Sequence, residues 1–137
     1  GAAGIMGFQI SVSTPKGFEP DKNVLKEAKN LKNGKIQISN NPKQAVKNAD
    51  VLYTDVWISM GQENDSRKKE QIFKPYQINR ALLSKARPKA LVMHCLPAHR
   101  GKEISDEVVD GPNSIVFEQA ANRLIVGKAI LEMCFSD

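Results

Sequence analysis

Cysteine is nearly absent from this chain: Cys95 and Cys134 are the only two among 137 residues. They form no metal or redox spacing and nothing suggests a disulfide framework, so a reduced, intracellular, cytoplasmic setting is the expectation. No stretch approaches the roughly 18 consecutive apolar residues of a membrane helix, and no membrane span is expected. Neither sign of charge dominates, with twenty Lys+Arg against fifteen Asp+Glu. A net charge of +5 would suit nucleic acid, a membrane surface or a small anion. The densest basic patch, Arg67-Lys68-Lys69, runs straight into Glu70 within an expected helix and reads as a solvated face, so nucleic acid is not an expected partner.

A dinucleotide fingerprint is missing too. Gly1-x-x-Gly4-x-x-Gly7 lacks the required spacing and has no strand ahead of it. His94, Cys95 and His99 make a poor metal set, because neighbours on a strand point to opposite faces and no second cysteine pair completes a site. No metal and no cofactor are expected. The sequence has no internal repeat, low-complexity tract or linker, and no initiator Met or signal peptide. Its opening, Gly1 to Gly7, looks like the tail of a helix cut from something longer.

What is present is an alternation of short apolar strands and helices. With 41% hydrophobic and 26% charged residues, the composition is that of an ordinary globular protein, and residues 1–137 fit one domain. Strands are expected at Phe8 to Ser13, Ile36 to Ser39, Val51 to Thr54, Leu91 to His94 and Ser114 to Phe117. Helices are expected from Asp21 to Asn33-Gly34, from Pro42, from Ser66 to about Phe73, around Ile78 to Leu83, at Ser105 to Val109, and from about Gln119 to Phe135. The last should carry Val126, Ala129, Ile130 and Met133 on one stripe. The order predicts an α/β fold: a doubly wound, mostly parallel five-stranded sheet with helices on both faces and right-handed crossovers.

Chemistry concentrates where such strands end. Ligands of open α/β sheets bind beyond the carboxyl ends of the strands. There the sequence places Asp55 after the third strand, His94-Cys95 after the fourth, and Arg123 early in the helix after the fifth. A carboxylate, a thiol and a guanidinium on one rim could hold an amine, accept or shield a proton, and grip an anion or carbonyl oxygen. Plainer roles stand beside these. Asp55 serves equally as a loop cap, His94 as a hydrogen-bonded core histidine, Cys95 as a small buried residue, and Arg123 as a partner for Glu118 or Glu107.

Three segments, Asp55-Val56-Trp57-Ile58-Ser59-Met60-Gly61-Gln62-Glu63, His94-Cys95-Leu96-Pro97-Ala98-His99-Arg100-Gly101 and Glu118-Gln119-Ala120-Ala121-Asn122-Arg123-Leu124, resemble the signatures of the ornithine-binding half of ornithine carbamoyltransferases. Thr14-Pro15-Lys16-Gly17-Phe18-Glu19-Pro20 is similar to a further segment of that domain, and the likeness covers nearly the whole chain. It implies carbamoyl transfer from carbamoyl phosphate to the δ-amine of L-ornithine, giving L-citrulline and phosphate. By resemblance, Asp55 binds the ornithine α-ammonium, and Ser59 and Met60 belong to a loop that closes over the amino acid. Cys95 sits beside the δ-amine, the carbonyls of Cys95 and Leu96 accept the carbamoyl NH2, and Arg123 contacts the carbamoyl group.

On that reading a thiolate at Cys95 could receive a proton from the amine, with no acyl-enzyme. Ala121 departs from the usual Glu of A-E-N-R. The amino-terminal carbamoyl-phosphate domain, with its S-T-R-T loop, and the D-G-x-N-N strand are not in the chain, so residues 1–137 alone are expected to be inactive. The resemblance implies a homotrimer for the complete enzyme. An aspartate enzyme would show H-P-L-P at Cys95, and a putrescine enzyme would lack Ser59-Met60-Gly61. The rival from another class is a non-catalytic module that binds an amino acid or a partner subunit.

Overall fold

Alternating Ile10 and Val12 on one strand and Ile36 and Ile38 on another come into register as the first parallel pair of the fold. The computed structural model describes residues 1–31, 33–58 and 66–136. In chain order the elements are α1 (Ala2–Met6), β1 (Gln9–Ser13), α2 (Lys22–Asn30), β2 (Lys35–Ser39), α3 (Pro42–Ala45) and β3 (Val51–Thr54). They are followed by α4 (Ser66–Phe73), a 3-10 turn (Lys74–Tyr76), α5 (Arg80–Leu83), β4 (Leu91–His94), α6 (Asp106–Val109) and α7 (Val116–Phe135).

Short side-chain acceptors start the helices where the sequence places them. Asp21 accepts from the amides of Asn23 and Val24, and Asn41 caps α3 with Pro42 in its first turn. The α2 helix stops at Asn30, short of Asn33-Gly34, and α3 spans one turn only.

The second parallel pair is β3 with β4, in the register Leu52 to Val92 and Thr54 to His94. Leu52 and Val92 turn inward and meet Ile78, Ala90, Ile104, Val108, Val109 and Val116 in the main core. The face is shared by Thr54 and the buried His94, whereas Val51, Tyr53 and Leu91 lie on the exposed face.

The single five-stranded sheet expected from the sequence is not formed among the described residues, which hold two separate two-stranded parallel sheets. The expected fifth strand, Ser114 to Phe117, reduces to one bridge between Ser114 and Val92. Its apolar run is instead the start of α7: Val116 is the first helical residue and is fully buried. A short apolar run reads equally as a strand or as a buried first helical turn. Along α7, Val126, Ile130 and Met133 are each more than half exposed, as are Phe117, Leu124, Ile125, Leu131 and Phe135. Apolar residues surround this helix, so they cannot all face one small domain. No helix among the described residues is long and apolar enough to cross a membrane.

The amino-terminal layer closes on a glycine contact. A Cβ at Gly34 would overlap the Ala3 carbonyl oxygen, a backbone atom that cannot swing away. Gly34→Ala is therefore expected to destabilise the fold by about 1–3 kcal/mol through overpacking, read as a lower urea midpoint at constant slope.

Candidate active site

Because β3 and β4 run parallel and in register, the residues that follow them emerge at the same edge. Asp55 and Cys95 are those residues, and the Cys95 thiol donates to Asp55 Oδ1 at 2.9 Å. The same oxygen accepts from the Val56 amide at 2.7 Å, while Oδ2 accepts no hydrogen bond among the described residues.

This pairing sets protonation. The bond from Cys95 holds the Asp55 carboxyl below its ordinary value, against a smaller upward push from burial. Burial first, then the bond to and charge of Asp55, push the Cys95 thiol upward. The resting pair is thus a carboxylate with a protonated thiol, rather than the thiolate considered from the sequence. Asp55→Asn removes both the charge and the anionic acceptor. In a Cys134→Ser background, the pH profile of Cys95 alkylation is then expected to move to lower pH; an unmoved profile would deny the pairing.

Beneath the pair lies a buried polar lattice. The His94 ring accepts from the Leu96 amide at Nδ1, 2.8 Å, so its proton is on Nε2, which donates to Glu103 Oε1 at 3.2 Å. His94 and Glu103 are 1% and 0% exposed. Glu103 Oε1 also accepts from the His99 amide, and its Oε2 has no hydrogen-bond partner among the described residues. The tether to His94 holds Leu96 at φ +54, a left-handed conformation that a branched residue does not adopt freely. It thereby fixes the backbone of the Cys95-Leu96 corner. The sequence marks His94 as a core histidine and offers nothing for Glu103, a carboxylate in a short polar turn with no periodicity to betray its burial.

Two further contacts hold the rim. Gln119 in the first turn of α7 accepts from the His94 amide at 3.1 Å and donates to the Tyr53 hydroxyl at 3.5 Å. On the other side, Phe73 receives Phe18 edge-on at 4.9 Å and is flanked by Trp57 and Tyr76 at 6.0 and 6.2 Å. Phe73 at the end of α4 thus joins Phe18 of the loop after β1 and Trp57, two residues beyond Asp55.

Asp55, Cys95 and Leu96 come together as the sequence suggests. Arg123 lies further along α7 than expected, one turn beyond Gln119 on the same helical face, and pairs with neither Glu118 nor Glu107 among the described residues. Arg100, from the same segment as Cys95, instead binds Asp106 and Asp110. Ser59 and Met60 fall outside the described residues. Among the described residues no cluster of three or more His, Cys, Asp or Glu could hold a metal ion.

Residues 1–134 match the family model described as "Aspartate/ornithine carbamoyltransferase, Asp/Orn binding domain". The chain belongs to the aspartate/ornithine carbamoyltransferase family. Within that family it is 52% identical over 133 residues to the ornithine carbamoyltransferase of Syntrophus aciditrophicus, a match covering 96% of this chain and 44% of that protein. Against the ornithine carbamoyltransferase of Chlorobaculum tepidum it is 50% identical over 129 residues, covering 94% of this chain and 38% of the relative. The solved ornithine carbamoyltransferase of Pyrococcus furiosus superposes with a TM-score of 0.88 at 48% identity, over 94% of this chain and 42% of that one. The anabolic enzyme of Campylobacter jejuni gives 0.89 at 37% identity, over 97% and 44%. The chain spans less than half the length of each of these relatives.

Proposed function

We propose that the chain is the ornithine-binding part of an ornithine carbamoyltransferase, which forms L-citrulline and phosphate from L-ornithine and carbamoyl phosphate. The observation that carries the reading is the Asp55–Cys95 pair at the common end of β3 and β4, inside two segments that resemble the family's signatures. Oδ2 of Asp55, which accepts no hydrogen bond among the described residues, offers an ionised acceptor for the α-ammonium. An extended amino acid anchored there reaches the thiol with its δ-nitrogen.

The δ-ammonium must lose its proton before its lone pair can add to the carbamoyl carbon, and partial burial beside the rim favours that loss. The ammonium proton passes to solvent, addition of the neutral amine forms the C–N bond, and collapse breaks the C–O bond as the nitrogen's second proton leaves with the phosphate. A protonated Cys95 acts here as a polar neighbour of the amine and forms no covalent bond to carbon. The Cys95 and Leu96 carbonyls, held by the His94 tether, accept the carbamoyl NH2. Arg123 stabilises charge on the carbonyl oxygen, and Ser59 and Met60 close over the amino acid.

The phosphate-binding groups belong, on this reading, to an amino-terminal carbamoyl-phosphate domain, in a cytoplasmic homotrimer. That domain would also cover the bare apolar residues of α7. The two parallel strand pairs, which leave Ile10 and Val51 exposed, would become parts of one doubly wound sheet with helices on both faces.

Joining the chain to the amino-terminal portion of the S. aciditrophicus relative tests this. The joined protein should make citrulline, while the 137-residue chain alone should make none. Ornithine binding by the joined protein without citrulline would identify an amino-acid-binding module instead.

A further inference from the structure

Phe73, the last residue of α4, lies where the loops that follow three strands meet, and the proposed reaction gives it no part. Phe18, from the loop after β1, packs edge-on against its ring at 4.9 Å. Trp57, from the segment after β3, lies against it at 6.0 Å with the rings tilted by 36°. Tyr76, at 6.2 Å, carries the link to the loop after β2. Its hydroxyl donates to the Asn40 carbonyl at 2.6 Å, and the Asn40 side chain donates in turn to the Thr14 carbonyl at 2.8 Å. Tilted and edge-on aromatic pairs at these separations attract one another, so Phe73 is the node of a four-ring cluster.

The same element is fixed to the loop after β4. Glu70 on α4 accepts from Lys102 Nζ at 2.6 Å, and Gln77, which follows the 3-10 turn, donates to the carbonyls of Gly101 and Lys102 at 2.8 Å each. None of these bonds involves Asp55. They make Phe73 a fixed point against which a less restrained segment can be seated.

Asp55 lies on such a segment. The β3–β4 ladder ends at Thr54 and His94, and the chain that carries Asp55 then leaves the sheet. Its Oδ1 meets the Val56 amide at 2.7 Å and the Cys95 thiol at 2.9 Å. Both bonds depend on the course of the backbone through Val56, and Trp57, the next residue, ties that backbone to α4.

We infer that Phe73 is a positioning residue for Asp55: its ring, backed by Phe18 and Tyr76, seats the Trp57 indole and thereby holds the Val56 amide and the Asp55 carboxylate in the geometry that meets Cys95. The effect on turnover rests on the transferase reading above. The effect on the Asp55–Cys95 pair does not.

Trp57 is the only tryptophan in the chain, so its fluorescence reads the indole directly. In the 137-residue chain with Cys134→Ser, Phe73→Leu keeps an apolar, helix-forming side chain and removes the flat ring. Acrylamide quenching of Trp57 should rise severalfold. The midpoint of Cys95 alkylation by iodoacetamide should move to lower pH, as in Asp55→Asn, because burial first and then the bond to Asp55 hold that titration up. Phe73→Tyr keeps the ring and should leave both readouts at the parent values. Gly34→Ala, whose strain falls on Ala3 and Phe8, should leave the alkylation midpoint in place and so separates seating from general loosening. If Phe73→Leu loses its far-UV circular dichroism, Tyr76→Phe decides: it keeps every ring, removes only the bond to Asn40, and should move both readouts in the same directions by less. An unmoved alkylation midpoint in the folded variant would overturn the assignment whether or not quenching rises, and so would an equal move in Phe73→Tyr or Gly34→Ala. In the joined protein, Phe73→Leu should raise the ornithine KM severalfold. A joined protein that makes no citrulline would overturn the transferase reading and leave the thiol measurement to decide the role of Phe73.

Discussion

Asp55→Ala in the joined protein is expected to cut kcat/KM for ornithine by roughly 30- to 900-fold, the equivalent of about 2–4 kcal/mol for a lost charged contact. The carboxylate does two things at once: it offers an ionised oxygen to the α-ammonium and restrains the Cys95 thiol. Loss of the first raises the ornithine KM, and loss of the second lowers kcat. Both constants should therefore move. A residue that only caps the loop through the Val56 amide would leave both near the parent values, and wild-type kinetics in this variant would remove Asp55 from the site. The companion Asp55→Asn keeps the shape and one acceptor, so a similar loss in kinetics with an intact fold would assign the effect to charge.

Glu103→Ala should cost about 3–5 kcal/mol of stability, from two buried donors left without their acceptor and the cavity left by the side chain. Two donors would be orphaned, His94 Nε2 and the His99 amide, and a cavity would open beside fully buried Ile104. The His94 ring, no longer held at Nε2, would fix the Leu96 amide less firmly through Nδ1. Glu103→Gln retains volume and one acceptor oxygen, and should stay within about 1 kcal/mol of the parent. Urea unfolding of the two variants separates the outcomes. Equal small losses in both would mean that the buried pair does not hold the corner.

Parallel strands at Val51–Thr54 and Leu91–His94 were legible because an apolar run of that length, closed by a polar break, has few other homes. Asp55 and Cys95 followed directly, since a residue's place at a strand end is set by the strand. The same reasoning misplaced Ile115-Val116-Phe117, where an apolar run of similar length is a bridge residue's neighbour and the opening turn of α7. The apolar stripe legible on α7 has no cover among the described residues. The supporting residues were the least visible. Glu103 is a carboxylate buried by long-range packing, and that burial has no local signature.

Substrate protection tests the central claim most directly. In the joined protein, with carbamoyl phosphate present, ornithine should slow iodoacetamide alkylation of Cys95, and Asp55→Ala should abolish that protection. An alkylation rate indifferent to saturating ornithine would contradict an amino acid bound against the Asp55–Cys95 pair.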